Sequence, residues 1–297
     1  MKTGFIGLGA MGYSMARNLH KADLLAGVWN RSIEKAQRLA EETGATAFDD
    51  IASLARNCEC VVTCVSADAD VLAVVDALAA SLPNGALVID CSTVSADTAK
   101  QAEAKLAAQG IGFLDCPVSG GTEGAAHGTL AIMCGGGEKD FERAQPVLQA
   151  MGKRIALMGP AGSGQATKAV NQIAVAGVNQ AVSEALAFAH AHGLDLAKVI
   201  DVVGSGAAAS WFLTNRGPNM EKMSFPLGFK VTLHEKDLDI CKRMAETFDV
   251  QLPVVEMTLL HYRRLIAAGH SDEDISSLYR LKRGMFEKQG RREKEED

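Results

Sequence analysis

The chain has no concentrated run of lysine and arginine: 30 basic residues are outnumbered by 36 acidic ones, for a net charge of −6. Neutralising a phosphate backbone needs clustered cations, so nucleic acid is excluded as the main partner and any local basic patch serves something small. No apolar run approaches the roughly 20 residues that cross a bilayer. The N-terminus passes at once into a glycine-rich strand–turn pattern, without the charged and apolar regions of a signal peptide. No membrane partner and a cytoplasmic location are therefore expected. Nor is there a disulfide framework: seven cysteines, an odd number scattered through apolar segments, suit buried thiols in a reducing compartment. Cys58, Cys60 and Cys64 cluster, but their spacing matches no usual zinc pattern and lies in what reads as buried strand, so no metal site is expected.

What the chain does have is core-forming material: 47% of its 297 residues are hydrophobic, enough for two ordinary domains. Up to about residue 160, β-rich runs alternate with amphipathic helical stretches, the pattern of a parallel sheet covered by helices. Strands are predicted at Gly4–Ile6, Leu25–Trp29, Cys60–Val65, Ala86–Asp90 and Gly112–Asp115, with Thr129–Met133 and Arg154–Leu157 extending the sheet. The fold class is α/β, an N-terminal doubly wound domain followed by an all-helical one. Gln165 to Ala191 is rich in Ala, Val and Leu, lacks proline and has one internal glycine, Gly177, which predicts a long, mostly buried helix between the domains. Further helices are predicted at Leu196–Val203, Val231–Phe248, Val254–Ala268 and Asp274–Glu287. A modest helical domain cannot fully cover so long an apolar helix, so a homo-dimer or homo-tetramer is expected. The predicted boundaries are 1–162, 163–290 and a charged, frayed tail at 291–297.

Immediately after the first strand stands Gly7-Leu8-Gly9-Ala10-Met11-Gly12, followed by a helical run through Leu19. One glycine permits a tight turn, the next lets backbone approach a pyrophosphate, and the third allows close helix–strand packing, with the helix N-terminus facing the phosphates. A strand before, a helix after and a second strand at the expected distance make this a dinucleotide site rather than a bare turn. At the end of the second strand, where an NAD-specific site places a carboxylate for the ribose hydroxyls, the chain has Asn30-Arg31-Ser32. The missing acid removes repulsion against a 2′-phosphate, Arg31 offers paired hydrogen bonds to it, and Asn30 and Ser32 add neutral hydrogen-bonding groups for the cofactor. NADP(H) is preferred on this reading and NAD(H) possible; the alternative is that Arg31 is a solvated surface charge.

Three further segments carry groups suited to substrate chemistry. Asp90-Cys91-Ser92-Thr93 places two hydroxyls at the carboxyl edge of a strand, where open α/β sheets bind ligands. Asp115-Cys116-Pro117-Val118-Ser119-Gly120-Gly121 ends a strand in a turn whose amides and Ser119 hydroxyl can nest a carboxylate. Either is also explained as a plain turn. Gly162 to Asn171 opens the long helix and puts Lys168 and Asn171 on one face. A lysine there either snorkels to solvent or, among Ala166, Ala169 and Val170, is desolvated and suited to donate a proton to a developing alkoxide.

With these motifs in order along nearly its whole length, ending in the run Phe229 to Leu238, the chain resembles the β-hydroxyacid dehydrogenase family, which includes 3-hydroxyisobutyrate dehydrogenase and tartronate semialdehyde reductase. The resemblance implies a Rossmann-type domain, a helical domain and an active site between them. It implies Lys168 as general acid or base and Asn171 as a substrate-holding group. Ser119, Gly120 and Gly121 would take the substrate carboxylate, Ser92 or Thr93 would lie near the reacting end and nicotinamide, and Phe229 would line the pocket mouth. Lys236 would lie beside the cofactor. Family members often carry Met-Leu-Pro after the fourth strand, where this chain reads Cys64-Val65-Ser66. Val65 and Ser66 are accordingly expected at the cofactor ribose in a loop of different shape. The implied reaction is hydride transfer between the nicotinamide and a small carboxylate such as 3-hydroxyisobutyrate, tartronate semialdehyde or succinic semialdehyde. An imine reductase and a non-catalytic NADP-binding sensor or scaffold are the alternatives.

Overall fold

The structure, a computed structural model, describes the backbone of residues 1–295 and side chains through residue 287. The tail expected at 291–297 therefore lies outside the residues whose side chains are described, and 296–297 outside the described residues altogether. The chain divides into two compact units, Met1–Lys168 and Ala169–Asp297. Among the described residues, no helix is long and apolar enough to cross a membrane.

The first unit begins with β1 (Thr3–Ile6), α1 (Gly12–Lys21), β2 (Leu25–Trp29), α2 (Ile33–Thr43), β3 (Thr46–Ala47) and α3 (Ile51–Arg56). It continues with β4 (Cys60–Thr63), α4 (Asp68–Ala79), β5 (Leu87–Asp90), α5 (Ala96–Ala107) and β6 (Gly112–Asp115). After these come β7 (Val118–Ser119), α6 (Gly121–His127), β8 (Leu130–Gly136), α7 (Glu138–Met151) and β9 (Gly152–Gly159). The sheet runs β3-β2-β1-β4-β5-β6-β8-β7, with β9 also paired to β8. Pairing is parallel from β3 to β6, while β8 runs antiparallel to β6 and β7 and parallel to β9. Strand order reverses between β1 and β4, and the loop after β1 opens at that switch point, where such sheets bind ligands.

Every residue of β1, β4 and β5 is buried, because helices cover both faces and a period of two sends alternate side chains to each. Phe5, Val62, Ile89 and Leu114 pack with Met15 and Leu19 of α1 and Leu148 of α7. Their neighbours Ile6, Val61, Val88 and Phe113 pack on the other face with Val71, Val75 and Leu78 of α4 and Leu106 of α5.

Helix α8 (Ser163–Ala191) begins in the first unit and continues in the second. The rest of the second unit is α9 (Leu196–Gly204), α10 (Trp211–Glu221), α11 (Val231–Glu246), α12 (Pro253–Ala267), a 3-10 turn at Ile275–Ser277 and α13 (Leu278–Glu295). Its core gathers Leu186, Met220, Val231, Leu238, Leu259, Tyr262, Leu278 and Tyr279. Helix α8 departs from the expectation of being mostly buried. Ala176, Val182, Leu186 and Ala187 are inside, whereas Val170 and Phe188 are 66% and 53% exposed. An Ala- and Val-rich composition hides this division, because small residues are compatible with either side.

Candidate active site

The loop between β1 and α1 is built by close backbone approaches. Gly7 has φ +95, and a Cβ there would collide with the Cys64 carbonyl at the end of β4. A Cβ on Gly12 would collide with the Gly7 carbonyl, so the first turn of α1 sits tight against the strand end. Around Gly9 the situation is opposite: apart from the glycine itself and its two chain neighbours, no heavy atom lies within 4 Å of the position its Cβ would take. That open cradle faces the first turn of a helix, whose leading N–H groups have no intrahelical partners, and so fits a pyrophosphate. Leu8, Ala10 and Met11 complete the loop; Leu8 is 2% exposed and anchors it to the core.

The loop is tied to the end of β2. Leu8 N–H donates to Asn30 Oδ1 at 2.8 Å, and Asn30 Nδ2 donates to the Ser32 carbonyl at 3.0 Å. Asn30 is thereby engaged with the protein's own backbone. Arg31 and Ser32 are exposed; the Arg31 side chain is 88% exposed, with Asp70 3.9 Å away. Ser32 occupies the N-cap of α2 without a side-chain capping bond.

A buried carboxylate organises the next two loops. Asp90 Oδ1 accepts from Thr63 Oγ1 (2.7 Å), Ser92 N (3.1 Å) and Ser92 Oγ (2.6 Å). The Ser92 hydroxyl also accepts from Val65 N at 2.9 Å, joining the loop after β4, which carries Val65 and Ser66, to the loop after β5. Ser92 is 1% exposed and its hydroxyl is engaged internally; Thr93 beside it is half-buried.

A second buried carboxylate, Asp115 at the end of β6, receives the start of α8. Gly162 N donates to its Oδ1 and Gln165 N to its Oδ2, each at 2.8 Å. Burial pushes this carboxyl up to about 6, against the pull of the two amides. One turn into the helix, Lys168 is 7% exposed and its Nζ donates to the Val118 carbonyl at 2.9 Å. The lysine does not snorkel to solvent; it lies against the turn that carries Ser119, Gly120 and Gly121. That turn crosses through conformations that favour glycine, with φ +134 at Gly120 and +62 at Gly121.

In the second unit, Asn171 is half-buried, with Nδ2 donating to Gln172 Oε1 at 2.7 Å. Gln172 Nε2 donates in turn to Asp237 Oδ2 at 2.7 Å, and Asp237 Oδ1 lies 3.0 Å from Lys236 Nζ. Phe229 is half-buried just before α11. Its N–H and that of Gly228 donate to Asp274 Oδ2 at 2.9 and 3.0 Å. Among the described residues, no group of three or more His, Cys, Asp or Glu is placed to hold a metal ion.

Sequence reasoning named Asp90 and Asp115 only as members of their segments, named Gln165 and Asp274 only as the starts of predicted helices, and gave Gln172 no role. The signal was present for the first two: an acid ending an otherwise apolar strand is costly to bury unless amides or hydroxyls converge on it.

A glycine cradle at a parallel-sheet switch point, with a buried lysine beside a glycine turn, defines the class of NAD(P)-dependent oxidoreductases. Residues 2–159 match the NAD binding domain of 6-phosphogluconate dehydrogenase, and residues 162–282 match the NAD-binding domain of NADP-dependent 3-hydroxyisobutyrate dehydrogenase. The chain belongs to the β-hydroxyacid dehydrogenase family. It is 39% identical over 280 residues to an uncharacterised oxidoreductase of Shewanella frigidimarina, covering 93% of this chain and 96% of that one. It is 36% identical over 291 residues to the 2-hydroxy-3-oxopropionate reductase of Escherichia coli, covering 94% and 96%. Among solved structures, the Mycobacterium tuberculosis 3-hydroxyisobutyrate dehydrogenase with L-serine superposes with a TM-score of 0.87 at 29% identity, covering 94% of this chain and 98% of that one.

Proposed function

We propose that the chain is an NADP(H)-preferring β-hydroxyacid dehydrogenase or semialdehyde reductase acting on a short carboxylate, with Lys168 as general acid and base. The observation that carries this reading is a buried ammonium, 7% exposed, hydrogen-bonded to the carbonyl that leads into the Ser119–Gly121 turn. A proton donor and a carboxylate anchor so joined set where the reacting carbon of a three- or four-carbon substrate must lie, which is how orientation lowers the barrier.

In reduction, Lys168 holds a proton at Nζ and delivers it to the oxygen as negative charge develops there; in oxidation it takes the proton back. The Ser119 hydroxyl and the Gly120 and Gly121 amides hold the carboxylate, and Asn171 holds the substrate oxygen. Thr93, with Ser92 bracing its loop, faces the reacting end, and Phe229 lines the pocket. A bound nicotinamide supplies the hydride. Gly7 to Gly12, Val65, Ser66, Thr93 and Lys236 are assigned to its dinucleotide. The exposed Arg31, with no acid at positions 30–32, supports preference for a 2′-phosphate. Residues 1–162 form the nucleotide domain on this reading, and 163–290 the substrate and assembly domain. The exposed apolar residues of α8 support a homo-oligomer, which light scattering checks; a stable monomer would contradict it. Seven free cysteines support a reducing compartment, the cytoplasm.

The test is initial-rate oxidation of NADPH and NADH with tartronate, succinic and methylmalonate semialdehydes, run beside Lys168→Ala. Turnover with NADPH well above NADH is expected, with kcat lowered about 10²- to 10⁴-fold in the variant. Near-normal turnover by Lys168→Ala would remove the lysine from the mechanism. Tight NADPH binding without turnover of any aldehyde would favour a binding module.

A further inference from the structure

Helix α8 is joined to the loop after β5 by one side chain. Gln165 is 1% exposed, and both ends of its carboxamide are engaged: Oε1 accepts from Val94 N at 3.1 Å, and Nε2 donates to the Ser92 carbonyl at 2.8 Å. These two backbone groups flank Thr93, so the amide pairs with the loop as one strand edge pairs with another. The main chain of the same residue donates to Asp115 Oδ2 at 2.8 Å. Gln165 thus holds the ends of two strands at once, and Lys168 follows it by one helical turn.

We propose that Gln165 is a positioning residue that sets the distance between the proton donor Lys168 and the Ser92–Val94 loop facing the reacting end of the substrate. This rests on the roles of Lys168 and Thr93 given above. A buried amide needs partners whatever its purpose. What points beyond a merely satisfied core residue is that its partners are the two peptide groups around Thr93. Removing the amide would free that loop while leaving the glycine cradle, Arg31 and the Lys168–Val118 hydrogen bond without any lost contact to Gln165. Displacements of about 1 Å in such a frame cost roughly 10²-fold in rate.

The experiment compares Gln165→Ala, Gln165→Glu, Lys168→Ala and the unaltered protein. Gln165→Ala is expected to retain NADPH affinity within about threefold, to lose about 10²-fold in kcat, and to show a larger primary isotope effect with deuterated NADPH. In the protein without cofactor, hydrogen exchange at the Val94 amide is expected to accelerate.

Gln165→Glu supplies the sharper readout. A neutral carboxylic acid reproduces the pattern, with its carbonyl accepting from Val94 N and its hydroxyl donating to Ser92 O, whereas a carboxylate opposes the Ser92 carbonyl. Burial raises the pKa of such an acid. The kcat of this variant, divided by that of the unaltered protein at each pH from 5 to 9, is therefore expected to climb as pH falls; the Gln165→Ala ratio stays low and flat. Asp90 and Cys91 before the loop, Asp68 bonded to Ser95 N, Asp115 at the end of β6, Lys100 beside Gly162 and Lys168 on the same helix are ionisable groups near the site, and the Gln165→Ala ratio over the same pH range is the control for their titration.

A flat Gln165→Glu ratio, or unaltered Val94 exchange in Gln165→Ala, overturns the proposal, and the Gln165→Glu ratio decides it if the alanine variant folds poorly. An inactive Lys168→Ala beside a fully active Gln165→Ala overturns the positioning role alone. A fully active Lys168→Ala overturns the functional reading on which it rests.

Discussion

Asp115→Asn sets burial against hydrogen bonding in a way that can be worked through. The carboxylate accepts two backbone N–H groups at 2.8 Å, yet burial dominates and lifts its pKa from the ordinary 3.8 to about 6. For an acid with a raised native pKa, the folded state binds the proton more readily than the unfolded one between these two values. Stability from this group therefore falls as pH rises from about 4 toward 6 and beyond. The upward shift corresponds to about 3 kcal/mol fully developed, of which about 2 kcal/mol separates pH 4.5 from pH 7.5. Asparagine carries no charge to desolvate but keeps only one acceptor, leaving an amide N–H opposed by its own NH₂, a loss of about 1 to 3 kcal/mol. Near neutral pH the two effects offset, and the variant is expected within about 2 kcal/mol of the parent. At pH 4.5 the parent regains about 2 kcal/mol relative to the variant. Urea unfolding of both proteins at the two pH values measures the gap. A gap moving in the parent's favour with rising pH would refute the reasoning and show that the two amides outweigh burial.

The cofactor loop yields two further expectations. Gly12→Ala drives a Cβ into the Gly7 carbonyl and is expected to destabilise the fold by about 1 to 3 kcal/mol in thermal or urea unfolding, whereas Gly9→Ala leaves stability unchanged and weakens NADPH affinity in fluorescence titration. Arg31→Glu is expected to raise the NADPH Kd by about 10- to 100-fold while leaving that for NADH nearly as it was; equal losses for both would refute the 2′-phosphate assignment. In the helical unit, Asn179 donates to both the Tyr262 hydroxyl and the Ile275 carbonyl. Asn179→Ala is therefore expected to lose about 2 to 4 kcal/mol in the same unfolding assay, and a loss under 1 kcal/mol would count against it.

Local periodicity carried most of the architecture. The ends of β2 and β6 were legible to the residue because buried apolar runs are flanked by turn residues there. Strand β8 runs on through Cys134, Gly135 and Gly136, beyond its predicted end, since glycines give no strand signal until a neighbouring strand pairs with them. The two-residue β3 and β7 are too short to carry a pattern. Helix α10 was missed because Gly217 and Pro218 disfavour a helix locally. Tertiary packing prevails there: Phe212, Leu213 and Met220 are buried, Ser210 caps the first turn, and Gly217 allows close approach to Ile200 of α9. Of the site, the motifs were legible because each is contiguous. The commitments of Asn30 to Leu8, Ser92 to Val65 and Gln165 to Val94 were not, because they join residues 22, 27 and 71 positions apart.

The bond from Leu8 N–H to Asn30 Oδ1 constrains how this chain could change its cofactor over evolutionary time. Most residues at position 30 would release the glycine loop, so drift there is penalised whichever dinucleotide is bound. Aspartate is the exception: it offers the same acceptor oxygen to Leu8 at the same reach, giving up only the donor to the Ser32 carbonyl, and it adds the carboxylate that favours ribose hydroxyls over a phosphate. Asparagine and aspartate codons differ by one base. On the proposed reading of Arg31, the neighbouring cofactor preference is thus a single mutation away that keeps the glycine loop tied, and its accessibility is set by a backbone hydrogen bond.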